Sequence, residues 1–212
     1  MEQYRGAWLP TPVLTEDSIY AAADREKILQ YSLLILLEHL TPKERAVFIL
    51  KETFDFNHEE IAEALDIKIE HSRQLLKRSK EKIPGRSTKA GKLNRQDSDM
   101  LRRLSDAISS ADVERTKQLL STDVRCVSDG GTKVRAARKL LTGQDRVSKF
   151  LKAIYGKYFP EGATTHVVEI NHHPAILFKR EGKVFRCIVL EMEDDAITNI
   201  FIVVNPDKLQ HL

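Results

Sequence analysis

The 212-residue chain is 42% hydrophobic and 31% charged, enough apolar content for two small cores in a soluble protein. Its longest dense apolar run, SLLILLEHL at 32–40, is far too short to span a bilayer, and MEQYRGAWLP offers no secretory signal, so a cytoplasmic protein without membrane contact is expected. The net charge of +3 conceals a division: residues 1–67 carry six basic against thirteen acidic side chains, residues 68–92 nine against two, and residues 95–212 nineteen against sixteen. A short basic block in a nearly neutral chain is a footprint for nucleic acid or a solvated helix face, and charge alone leaves both open.

In chain order, GAWLPTPVL is an extended, proline-stiffened segment. Trp8, Leu9 and Val13 would lie across an apolar groove, or the segment would stand free. A helix is predicted from Pro42, with Thr41 as N-cap and Glu44 reaching back in a capping box; Asn57 and Glu60 repeat the device before HEEIAEAL. That second helix ends near DIK. Beyond this turn Ser72, Leu76, Ser79 and Ile83 recur at helical spacing as one inward stripe, with Leu75 beside it. Arg73, Gln74, Lys77 and Lys80 then share the opposite face, with Arg78 at its edge.

A capped helix, a short turn and a second helix whose outer face bears Arg, Gln and Lys form a helix-turn-helix whose second helix enters the major groove. Arg and Gln suit base edges and Lys suits phosphates. An ordinary helical hairpin with a solvated basic face has the same pattern.

IPGRSTKAGKLNRQDS at 83–98 breaks periodicity and marks a domain boundary. Residues 95–120 read as helices, with Met100, Leu101, Leu104 and Ile108 on one face and Asp112 as a cap, and GQDRVSKFLKAIYGKYF as a further helix. THVVEI, PAILFKR, KVFRCIVLEM and ITNIFIVV alternate apolar and polar residues between the turns NHH, EGK and EDD, as antiparallel strands do. Helices followed by a curved meander give an α+β cone. Cys126 and Cys187, each in a β-like apolar run, read as buried free thiols.

Cones often enclose a pocket, which makes His166, His172, His173, Asp129 and Asp145 acid/base candidates, yet no spacing gives any histidine a partner. His172 and His173 would point to opposite faces of a strand, a poor metal site. No catalytic residue, metal or cofactor is expected.

The stretch LTPKERAVFILKETFDFNHEEIAEALDIKIEHSRQLLKRSKEKI at 40–83 resembles region 4 of the sigma-70 family, in its extracytoplasmic-function group. The resemblance implies recognition of the promoter −35 element by Arg73, Gln74, Lys77 and Arg78, with Arg45, Asn57 and His58 at phosphates and core RNA polymerase as partner; Lys80, on the same outer face, suits phosphate. Ser72 stands where the family usually has an apolar residue, which would loosen packing slightly. YRGAWLPTPV at 4–13, SDGGTKVRAAR at 128–138 and NPDKL at 205–209 resemble the linker and two tail motifs of the subgroup with a C-terminal SnoaL-like domain. Thr132 replaces that subgroup's usual third glycine.

The resemblance divides the chain into an inter-region linker (1–23), a region 4 helix-turn-helix (24–83), a basic linker (84–97) and a SnoaL-like domain (98–212). The fold class is thus an all-helical helix-turn-helix module followed by an α+β cone, and region 2 of the family is expected to be absent. The tail motifs imply a regulatory contact in cis, with Asp129, Gly130, Gly131, Asn205, Pro206, Asp207, Lys208 and Leu209 facing region 4 or Trp8, Leu9 and Pro10. The competing expectation is a ligand-binding or enzymatic cone with a helical partner-docking unit.

Overall fold

A computed structural model describes residues 7–15, 31–83, 93–137 and 139–212. Tyr4, the stretch 24–30, most of the expected basic linker (84–92) and Arg138 of the glycine motif lie outside the described residues. The described residues form two compact units, one of residues 31–83 and one of 7–15 with 93–212.

The first unit is four helices: α1 (Tyr31–Leu37), α2 (Pro42–Glu52), α3 (His58–Leu65) and α4 (Ile69–Lys82). Both predicted capping boxes are present. Thr41 Oγ1 accepts from the Glu44 amide at 3.4 Å while Glu44 Oε2 accepts from the Thr41 amide at 2.8 Å, and Asn57 and Glu60 reciprocate at 2.9 and 2.7 Å. Asp66 ends α3 in the left-handed region, φ 49°, where a short polar side chain is tolerated, and the chain turns directly into α4. Phe48 packs with Leu37 and Leu40, and Val47 with Ile61 and Leu75; Leu76 touches both clusters. The deepest line of α4 is therefore Ser72, Leu75 and Ser79, with Leu76 and Ile83 only half-buried. The helix contacts both α2 and α3, so its inner face is broader than the predicted stripe.

The second unit comprises α5 (Arg95–Ser109), α6 (Val113–Gln118), β1 (Leu120–Asp129), β2 (Leu141–Thr142), α7 (Gln144–Tyr158), β3 (Thr164–Ile170), β4 (His173–Arg180), β5 (Lys183–Glu193), β6 (Ala196–Val203) and α8 (Pro206–Leu209). The sheet runs β2-β1-β6-β5-β4-β3, antiparallel except for β1 with β6. Two-residue turns join β3 to β6 in a meander, and Asn171/His172, Glu181/Gly182 and Asp194/Asp195 all take positive φ, as tight hairpins require. The predicted α5 stripe is buried with Val147 and Leu151 of α7 against Ile176, Phe178, Ile188 and Ile200 of the sheet. Helices against a curved mixed sheet make the α+β cone. Cys126 and Cys187 are free and buried; burial pushes the Cys126 thiol up to about 12 and that of Cys187 higher still, so neither is a nucleophile at neutral pH.

Residues 7–15 run from the end of β1 to the β3–β4 turn. Leu9 is fully buried, Leu14 bridges to Ile170, and the Asn171 amide donates to the Val13 carbonyl at 2.9 Å. The short α8 packs on β5.

Candidate nucleic-acid interface

Arg73, Gln74, Lys77, Arg78 and Lys80 are all exposed along α4. Arg73 lies 3.4 Å from Glu70 and Lys80 2.9 Å from Glu52, surface pairs weak enough to exchange for a phosphate or a base. The helix carrying them is fixed from beneath. Ser79 Oγ donates to the Leu75 carbonyl at 2.7 Å and approaches that of Glu44 at 3.1 Å, so a hydroxyl sits satisfied in the α2–α4 contact. Lys82 Nζ donates to both Glu44 carboxylate oxygens at 2.8 Å. These bonds, followed by that from the Thr41 amide, hold the Glu44 pKa down at about 2. One buried carboxylate thus caps α2 and ties down the end of α4.

His58, expected at phosphate, joins its Nδ1 to Ser72 Oγ at 2.9 Å, which links the start of α3 to the first turn of α4. Ser72 was expected to loosen the packing; it is instead fully buried and held by this bond. Asn57 uses its side chain on the α3 cap. Arg45 gives Nε to the Leu37 carbonyl at 3.0 Å and pairs with Glu38 at 3.1 Å, so it braces the end of α1. The structure thus groups the five α4 side chains on one surface and gives Arg45, Asn57 and His58 internal partners. The Glu44–Lys82 bond joins residues 38 apart and leaves no local signal in the sequence.

In the other unit the structure gathers Leu9, Asp129 and Lys208. Asp129 Oδ2 accepts from the Leu9 amide at 2.9 Å and from Lys208 Nζ at 2.8 Å, while Lys208 also donates to the Leu9 carbonyl. Asp129 Oδ1 accepts from the Gly131 amide at 2.8 Å. A side chain at Gly131, φ +61°, would strike Asn205 at 2.6 Å, and one at Gly130 would meet the Val134 carbonyl at 2.1 Å, so both positions need glycine. Thr132 is not among the residues at positive φ, so no third glycine is required there. Asn205 caps α8, Pro206 opens it, Leu209 is buried and Asp207 pairs with Lys133. Pro10 is buried; Trp8 is 42% exposed, its ring centroid 4.3 Å from Lys208 Nζ, a cation–π contact. His211 donates to the Pro12 carbonyl at 3.0 Å, a contact the sequence did not suggest.

The acid/base candidates do not gather in one cluster. His166 bonds to Thr164, His172 lies 3.6 Å from Glu169, the adjacent His173 bonds to the Asn171 carbonyl and lies 3.8 Å from Glu191, Asp145 pairs with Lys117, and Asp129 belongs to the Leu9 contact. Among the described residues no three His, Cys, Asp or Glu side chains gather as metal ligands, and no helix is long and apolar enough to cross a membrane.

The family described as Sigma-70, region 4 matches residues 32–83. The ECF RNA polymerase sigma factor SigJ of Mycobacterium tuberculosis is 26% identical over 98% of this chain and 70% of its own length. The probable ECF RNA polymerase sigma factor SigI of that species is 29% identical over 85% of this chain and 60% of its own. This chain therefore spans some two thirds of these relatives. The crystal structure of M. tuberculosis SigJ superposes with a TM-score of 0.75 at 24% identity, over 98% of this chain and 76% of that one.

Proposed function

We propose that the chain is an extracytoplasmic-function sigma factor of the sigma-70 family, with region 4 followed by a SnoaL-like domain, and that α4 reads the promoter −35 element. The observation that carries this reading is the exposed row Arg73, Gln74, Lys77, Arg78 and Lys80 on a helix anchored through Ser79 and Lys82. Arg73 and Gln74, nearest the start of α4, enter the major groove and bond to base edges. Lys77 and Arg78 occupy the remaining recognition positions, Lys80 neutralises phosphate, and the N-terminal end of α3, at Asn57 and His58, presents amides to the backbone. Arg45, braced against α1, lends a guanidinium to phosphate. Core RNA polymerase is the protein partner, and the cone acts without catalysis.

Regulation in cis follows from the hold on the Trp8-Leu9-Pro10 segment. Asp129 and Lys208 seize both backbone groups of Leu9, so the cone restrains the linker and with it the placement of whatever the linker joins. The residue boundaries 1–23, 24–83, 84–97 and 98–212 remain our proposed division.

Titration of duplex DNA at fixed salt tests the DNA reading. Arg73→Ala is expected to cost about 1–3 kcal/mol on a cognate −35 duplex and little on random DNA. Lys80→Ala should weaken both alike and lower the salt slope by about one. Equal losses on both DNAs for Arg73→Ala would remove base reading by that residue.

A further inference from the structure

Inside the cone, Arg186 of β5 is only 4% exposed, and its Nε and Nη1 donors have no hydrogen-bond acceptor. It lies among rings: its guanidinium carbon is 5.5 Å from the Phe178 centroid and 5.7 Å from that of Phe185. Phe159 lies 6.1 Å from Phe178 and 6.4 Å from Phe185, and stacks at 4.1 Å on Tyr155 of α7. Phe159 and Phe185 are half-buried, which makes them the outer members of this wall.

A guanidinium stays charged at any physiological pH. Two cation–π contacts offset only part of what an uncompensated buried charge costs, even after relaxation. The rings alone do not close that gap. An acceptor that also carries negative charge does, and a carboxylate, which only accepts and has two oxygens, supplies it.

We propose that Arg186 is the anion-binding group of a ligand site within the SnoaL-like cone, and that the site takes a small organic carboxylate whose apolar body lies against Tyr155, Phe159, Phe178 and Phe185. Arg186 supplies orientation and charge selectivity, while the rings supply burial. The site is independent of the DNA reading, since every member belongs to the second compact unit.

The test uses the whole chain and two probes of one shape, benzoate and its neutral analogue benzamide, followed by NMR at constant ionic strength. Benzoate is expected to give saturable shifts at the Arg186 Nε–H and at the Tyr155 and Phe178 rings, with benzamide at least about tenfold weaker. Arg186→Met replaces a buried charge with an apolar chain of similar length, so it should keep the wild-type fold and lose benzoate selectivity. Arg186→Gln provides a second neutral variant should the first misfold. The proposal is overturned if benzoate produces no saturable shift in the wild type, since the rings alone then hold the arginine. Equal binding of the two probes, or unchanged benzoate binding in a folded neutral variant, overturns it as well.

Discussion

Glu44 shows how one side chain serves two elements. It is 3% exposed, caps α2 through the Thr41 amide and receives Lys82 from the far end of α4. Its folded pKa of about 2 lies below the ordinary 4.5, so the stability it contributes is fully present above about pH 4.5 and is lost as pH falls toward 2. Glu44→Gln should destabilise residues 31–83 by about 1–3 kcal/mol at neutral pH and flatten the acid limb of unfolding between those values. Helical circular dichroism against urea at several pH values measures this, and an unchanged acid limb in the variant would assign it to other groups. The cap half of this arrangement was legible, because Thr-Pro-Lys-Glu is a local pattern. The Lys82 half was not, since pairing across 38 residues depends on how α4 crosses α2. The inward position of Ser72 was legible from its spacing and its bond was not, for its partner His58 belongs to the preceding helix.

At the scale of elements, local chemistry set what could be read. Capped helices with periodic apolar faces and alternating strands between Asn, Gly and Asp turns emerge where the spacing places them. The parallel pairing of β1 with β6 does not, because it joins strands some 70 residues apart and leaves no mark on either. The stripe predicted for α4 includes Ser72 and Ser79 of its deepest line and sets Leu75 beside it, whereas Leu76 and Ile83 are only half-buried, and the residue of most consequence there is Ser79. Its hydroxyl donates to the Leu75 carbonyl of α4 and lies 3.1 Å from the Glu44 carbonyl of α2 at full burial, so the two helices meet at a small polar residue. Ser79→Ala should therefore cost about 1 kcal/mol, the loss of modest hydrogen bonds. Ser79→Leu should cost about 1–3 kcal/mol by overpacking, and weaken −35 binding as α4 is displaced. Urea titration with a parallel DNA titration checks both; a leucine tolerated without loss in either would show that the α2–α4 contact has room.

Across the whole molecule, the tail motifs were legible as strings, and their geometry was not. NPDKL is a one-turn capped helix whose lysine reaches back 199 residues to the Leu9 carbonyl, a relation no periodicity reports. The consequence concerns how the N-terminal segment is released. Asp129 is fully buried with Lys208 against it, so removing the lysine alone should cost about 3–5 kcal/mol by stranding a carboxylate. Replacing both partners, as Asp129→Leu with Lys208→Met, should recover much of that loss because no charge stays buried. Stability and linker hold then come apart. In the double variant the Leu9 amide still lacks its Asp129 acceptor, so its hydrogen exchange should be fast while amides of β5 and β6 remain protected. Deleting residues 205–212 should release Leu9 in the same way. Exchange measured by mass spectrometry or NMR distinguishes the outcomes: a Leu9 amide still protected in the double variant would mean that apolar burial of Leu9, rather than the Asp129–Lys208 clasp, holds the segment on the cone.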